Sequence, residues 1–593
     1  MKDKGSKILI WVVGSVIVLA VIVYAGWQYF KKDLAKPDSK IAKPLLTDQI
    51  KKMVIDASDS LYQLQYDRFE LDIDKGKGLL TGVKIIPDSN VEKRLLKAGK
   101  LPNTIIHLRI DSLRLHQFGF RKTSAGRRFN IQSVTLYHPV ARIINKRRIW
   151  NEKDRTHESS ALLKAAKSVL KVSAVSTMNV QNLLFTWVDR NGPNEKETTF
   201  EHWNIKADGS RAYERSTLNG ENEHKTVSYH TDKIRIATPD SLYHIIFSGS
   251  DLMPDARLMT TELVEVSPRL GRTAFYRAAK YDKDRIHLIY KHLALRNIDI
   301  DQIWQYQRFH IGKATVGSFW GEVLNDYHWP KRRPPVRGRP HPHQKLKQLA
   351  FNITIDTMLM HNGYFQYMIA ARRSGENSKL FMTGIESRIY NITNDQERIR
   401  KKHYLTSYTR SKIMGAGLTS TTFKFDLGST DGAFIMTSQM GRMTAAALNP
   451  LARPLAQISV REGVINKMLM ELKADNSHAQ GHLDLYYKGM KLDLLKRDKE
   501  ADTLKKRGFL SFLANTFTPN DNPKKNGKFR EGPINVIREP RGSFFGLLWK
   551  STLDGMTSAM SGLEQHKDKP DESFLTRGLK SIIKPHHKEV KKN

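Results

Sequence analysis

The stretch HAQGHLDLYYKGMKLDLL, residues 478–495, decides how the rest of the chain is read. Leu483, Leu485 and Tyr487 alternate with His482, Asp484, Tyr486 and Lys488. Successive side chains of a strand point to opposite faces, so a period of two predicts a strand with one apolar and one wet face. At Gly489 the phase flips, and Met490, Leu492 and Leu494 then alternate with Lys491 and Asp493. The same grammar recurs along the chain. FELDI puts Phe69, Leu71 and Ile73 on one face. IIHLRIDSLRL runs through Ile106, Leu108 and Ile110, slips near Ser112 and resumes at Leu113 and Leu115, as a β-bulge would require. VQNLLFTWVD, SLYHIIFSG, TTFKFDLG and LAQISVREGVI continue the pattern. In QLAFNITIDTMLMHNGYFQYMI, Phe351, Ile353 and Ile355 share a face, and Asn362-Gly363 predicts a hairpin turn. The question is what covers so many apolar faces.

Bulk composition bounds the answer. The chain has 593 residues, 39% of them hydrophobic, and a mean hydropathy of −0.50, which describes a soluble body and not a polytopic membrane protein. A formal charge of +38 suits contact with anionic material such as phospholipid headgroups, lipopolysaccharide or nucleic acid, and equally suits plain solvation. The absence of cysteine excludes disulfides, thiolate catalysis and cysteine-based metal sites.

The N-terminus carries ILIWVVGSVIVLAVIVYAGWQYF between Lys7 and Lys31. At ~1.5 Å per residue such a run spans ~35 Å as a helix, enough for a ~30 Å hydrocarbon core. It predicts a transmembrane anchor within residues 1–30, the rival being a cleaved signal peptide ending at Val23-Tyr24-Ala25. Lysines flank the run on both sides, so charge does not fix its orientation. Residues 31–60 form a linker and lead-in, 61–500 a sheet body, and 501–593 a C-terminal region with a basic tail. Helices are predicted at SSALLKAAKSVLKV (159–172), LKKRGFLSFLANTF and SFFGLLWKSTLDGMTSAM. The last two are amphipathic and suit either a membrane surface or packing under the sheet. The proline-rich stretch 329–345 reads as a loop. Its Lys331, Arg332, Arg333, Arg337 and Arg339 are either solvated or contacts for anionic headgroups.

The motifs of common chemistries are missing. There is no GxxxxGK[ST], HExxH or GxSxG. Gly76, Gly78 and Gly82 precede the strand-like VKII and not a helix. His341 and His343 flank Pro342 in a basic loop, a poor place for a cation. No carboxylate pair stands out as acid and base. Catalytic residues, metal ligands and cofactors are therefore not predicted. Tryptophans and arginines do not cluster as a single-stranded nucleic-acid platform would require, so no nucleic-acid partner is expected.

The anchor, FELDIDKGKGLLTGVKIIPD, IDSLRL and IQSVTLYHPVARI, followed far downstream by LAQISVREGVINKMLMELKADNSHAQGHLDLYYKGMKLDLL, resembles the AsmA-like envelope proteins of Gram-negative bacteria, with their TamB and YhdP relatives. The resemblance covers two blocks, about half of the chain. It implies a single-pass inner-membrane protein with a periplasmic body. That body would be mainly β: a long, curved, open antiparallel sheet whose apolar groove carries phospholipids or other acyl lipids between membranes. The family has no cofactor and is not enzymatic, and an outer-membrane or envelope protein would be its partner. Leu483, Leu485, Met490, Leu492, Ile353 and Ile355 are the candidate groove residues, and they suit a closed core equally well. A non-transporting envelope scaffold is the alternative, and an enzyme acting on a glycan or lipid a third reading.

Overall fold

A computed structural model describes residues 51–561, apart from 52–53, 56–57, 59, 73–74, 124–125, 147, 149, 151–173, 192–194, 215–221, 239, 280–282, 300–307, 327–339, 350–351, 371–376, 499–502, 507–519 and 539–541. The predicted anchor, the helix at 159–172, the apolar part of LKKRGFLSFLANTF and the five cationic residues from Lys331 to Arg339 lie outside the described residues. Among the described residues no helix is long and apolar enough to cross a membrane. The chain is mainly β, its strands belonging to a long mixed sheet, and it divides into two units.

The first unit comprises residues 1–269 and 294–309. Lys77–Pro87 pairs on one side with Tyr62–Gln65 and Arg68–Asp72, and on the other with Thr104–Thr123. Thr104–Thr123 is in turn flanked by Gly126–Tyr137 and Val140–Asn145. Those two pair in parallel with Ala174–Asp189. Antiparallel order then resumes through Lys196–Glu214, Asn222–Ala237, Tyr243–Met253 and Leu258–Pro268. The all-antiparallel sheet expected from the sequence is thus corrected to a mixed one. Parallel neighbours need a crossover and not a hairpin, and residues 146–173 supply the length for it.

Mid-strand phase slips have a backbone cause. Gly82, His138, Asn182, His202 and Gly249 all have φ between 47° and 59° inside or between long strands. The slip near Ser112 is one of these. Buried Ile110 is followed by buried Leu113, with Gly82 and His138 at that level of the two neighbouring strands. Val83, Ile110, Ile131, Ile143, Leu183 and Phe185 are fully buried in this unit's core. Further along the sheet the cover thins. Ile234, Ile236, Ile245, Phe247, Val264 and Val266 share one face by register, yet each is only half-buried.

The second unit comprises residues 270–293 and 310–593. Its strands run antiparallel in chain order: Asn352–Ala370, Asn377–Thr393, Tyr404–Ile413, Gly417–Asp426, Phe434–Met440, Ile458–Ala474 and His478–Asp498, then Pro533–Ile537. The opening stretch behaves as read. Leu483, Leu485 and Tyr487 are buried, Gly489 takes φ +67°, and Met490 returns to the buried face. The Asp521 carboxylate accepts the Gly489 N–H at 2.8 Å and holds the irregularity in place.

The predicted hairpin at Asn362-Gly363 is not a hairpin. Asn352–Ala370 runs straight through it with a bulge. Asn362 takes φ +47°, its N–H donates to Glu386 Oε1 at 2.9 Å, and the His361 ring meets Glu386 Oε2 at 2.6 Å. Gly363 is required for another reason: a Cβ there would sit 2.1 Å from Phe319 Cε1. Asn-Gly satisfies a left-handed residue in a bulge as readily as in a turn, so the dipeptide alone does not separate the two.

Candidate functional site

The helix Phe544–Ser561 packs on His478–Asp498 and Pro533–Ile537 of the second unit. Of the two fates open to this amphipathic segment, packing is the one realised. The face that packs tightest begins with a leucine and continues in small residues. Leu547, Ser551, Gly555 and Ala559, spaced by four, are buried, whereas Phe545 is 41% exposed. Spacing by four puts these residues in one row, and their size lets the helix approach the sheet closely. Gly555 stands where a Cβ would meet the Leu483 Cβ at 2.6 Å, and a Cβ on Gly532 would meet the Gly555 carbonyl oxygen at 2.3 Å. Asp554 accepts the Asn535 N–H at 2.9 Å, its carboxyl pushed up by burial. Arg530 Nε donates to the Ala559 carbonyl at 2.9 Å, and its Nη2 donates to Tyr487 Oη at 2.7 Å. The C-terminal half of the helix is thereby fastened.

The N-terminal half spans a gap. Beneath it lies a cavity of about 590 Å³ within the second unit. Leu547, Leu548 and Met556 of the helix form its roof. Leu448, Leu451 and Leu455, from the short helix Asn449–Ala456 and its approach, form a wall. The floor is the inward face of the sheet, with Phe365, Met382, Ile413, Phe423, Met436 and Met468. Phe545 stacks on Phe365 at 5.5 Å and meets Tyr367 tilted at 5.9 Å, at the exposed edge. The volume and the apolar walls match those of small-molecule sites, which range over ~300–1,000 Å³.

Polar groups interrupt the floor. Thr409, Ser411, Thr419, Thr421 and Ser438 all line the cavity. Register places Thr409 opposite Thr421, Ser411 opposite Thr419, and Thr421 opposite Ser438. The hydroxyls of Thr421 and Ser438 meet at 2.9 Å, as do those of Ser387 and Thr409. Thr419 Oγ1 donates to the Gly417 carbonyl at 2.9 Å. Ser411 is 5% exposed, and its hydroxyl has no hydrogen-bond partner among the described residues.

Below the start of the helix lies a cluster that the sequence hid. His341 and His343, expected in a solvated loop, are 0% and 1% exposed. Pro342–Lys347 is a short helix, and the His341 N–H donates to Gln344 Oε1 at 2.8 Å at its start. The two imidazoles stack 6.0 Å apart. His341 packs against Phe434 and Phe544, and His343 against Phe425. His341 Nε2 lies 3.1 Å from the Asp475 carbonyl oxygen and 3.2 Å from Arg538 Nη1, and its tautomer decides which of the two it pairs with. Burial holds His341 below its usual range and, with His341 and Lys347 adding to it, brings His343 down to about 4. Arg538 lines the cavity and donates to the Gly542 carbonyl at 3.0 Å.

The structure places the sequence candidates elsewhere. Leu483 and Leu485 are 0% exposed in the packed core beneath the helix. Met490 is buried in the same core, and Leu492 packs against it half-buried. Ile353 and Ile355 are half-buried on Asn352–Ala370. None of the six is among the residues lining the cavity. Among the described residues no group of three or more histidine and acidic side chains converges as a metal site would require. No protein-family model matches the chain, and no curated protein matches it.

Proposed function

We propose that this is an acyl-lipid-binding envelope protein of the AsmA-like kind, anchored in the inner membrane with its body in the periplasm. It would carry phospholipids between membranes or support outer-membrane lipid homeostasis. The observation that carries the reading is the apolar cavity between the sheet face and the C-terminal helix. The half-buried apolar face from Ile234 to Val266 in the first unit supports it. Each acyl CH₂ removed from water onto such surfaces contributes about 0.8 kcal/mol.

The test is direct. Full-length protein purified in mild detergent is extracted and its lipids quantified by mass spectrometry. Close to one or more phospholipids per chain is expected, and a preparation free of stoichiometric lipid would refute the reading. The scaffold alternative draws on the closed core around Leu483 and Leu485, where protein itself covers the sheet. In the same experiment it predicts a stable protein partner without lipid.

A further inference from the structure

We infer that the hydroxyl band on the cavity floor is a subsite for the linkage of an acyl ester, so that the cavity takes a lipid by its ester group and not by hydrocarbon alone. This rests on the acyl-lipid reading above and names the ligand chemistry within it.

An inward position on a strand is normally apolar, and a buried hydroxyl without a partner costs about 1–3 kcal/mol. Thr409, Ser411, Thr419, Thr421 and Ser438 nevertheless occupy inward positions on three adjacent strands. Apolar floor flanks them: Phe423 and Met436 lie two residues along on one side, Ile413 and Met440 on the other. The cavity is therefore greasy at both ends and polar in the middle.

Mutual pairing leaves much of this capacity unspent. A hydroxyl has one donor and two acceptor lone pairs. In the couple Thr421 with Ser438 one hydrogen is shared and the other remains to be donated, whereas Thr409 is engaged by both Ser387 at 2.9 Å and Ser407 at 3.3 Å. Ser411 is 5% exposed, and its hydroxyl is not among the fully buried unpaired atoms but belongs to a residue lining the cavity. The band thus offers two neutral donors at the cavity floor, one from the Thr421–Ser438 couple and one from Ser411. Neutral hydroxyl donors suit a neutral acceptor, and the carbonyl of an acyl ester is the acceptor that comes attached to an alkyl chain. A bare alkane would leave every one of them unmatched, and an ether oxygen, hemmed in by two CH₂ groups, meets fewer of them than the protruding ester carbonyl does.

The experiment follows displacement of the apolar fluorophore N-phenyl-1-naphthylamine from the full-length protein. The competitors are 1-lauroylglycerol, its ether counterpart 1-O-dodecylglycerol, and lauroyl lysophosphatidylglycerol. The ester is expected to displace the probe about tenfold more tightly than the ether, the factor that two matched hydrogen bonds of ~0.7 kcal/mol each would give. Thr421→Val combined with Ser438→Ala and Ser411→Ala should bring the ester-to-ether ratio to about one, and Thr421→Ser alone should leave it near tenfold. The ratio is internal to each variant, so a general loss of affinity does not imitate the result. A tighter lysophosphatidylglycerol identifies a phospholipid as the source of the ester, and parity with 1-lauroylglycerol identifies an acylglycerol. Equal displacement by ester and ether in the wild type overturns the subsite while leaving the acyl-lipid reading standing. Failure of every competitor to displace the probe overturns that reading itself.

Discussion

Leu485 illustrates how one position separates a trough from a core. It is 0% exposed, and its carbonyl accepts from Asn522 Nδ2 at 2.8 Å. A carboxylate there has neither water nor a partner, so Leu485→Asp should destabilise the second unit by more than about 4 kcal/mol. Urea denaturation followed by tryptophan fluorescence checks this, and a variant of near wild-type stability would place Leu485 against an open space. His343 gives a second test. Its ring is neutral in the folded protein, brought down to about 4, whereas an unfolded histidine titrates near ~6.5. As pH falls below that upper value the unfolded chain takes up the proton first, so stability is lost between about pH 6.5 and pH 4. The unfolding free energy of wild type minus that of His343→Leu should therefore fall by about 3 kcal/mol between pH 7.5 and pH 4. Urea midpoints at the two pH values measure it, and a constant difference would mean that the ring titrates normally.

The helix Phe544–Ser561 is where packing is most exacting. The tight seam is Leu547, Ser551, Gly555 and Ala559. Glycine within a helix costs up to about 1 kcal/mol in chain entropy, and here it permits a close crossing over Leu483 and Gly532. Gly555→Val should lift the helix and cost about 1–3 kcal/mol. Hydrogen exchange should then show faster exchange across residues 544–561 while Gly417–Asp426 stays protected. Unchanged exchange in the helix would argue against that close contact.

Across the molecule, what the sequence disclosed and what it withheld divide along physical lines. Strands and their apolar faces were legible because period-two alternation is local. So were the phase flips at Ser112 and Gly489, where Gly82, His138 and Gly489 itself adopt positive φ. The parallel pairing of Ala174–Asp189 was not legible, because it depends on partners separated by a long connection. Asn362-Gly363 misled because a bulge and a turn make the same backbone demand. The cavity was hidden in a subtler way. Thr409, Ser411, Thr421 and Ser438 break the apolar alternation that had been used to find inward positions, so the residues that give the site its chemistry were the ones the pattern passed over. The burial of His341 and His343 was masked by their basic, proline-rich neighbours.

The parallel pairing of Ala174–Asp189 also has a temporal meaning. Strands joined by short turns can zip up one after another as the chain collapses. A strand that lies parallel to both Gly126–Tyr137 and Val140–Asn145 cannot be reached in that way, because the intervening chain must first be carried back along the sheet. Closing that loop costs entropy before any ladder bond repays it, and such non-local contacts slow folding. The ladder bonds of Ala174–Asp189 are therefore expected to form after those of the strands up to Asn145.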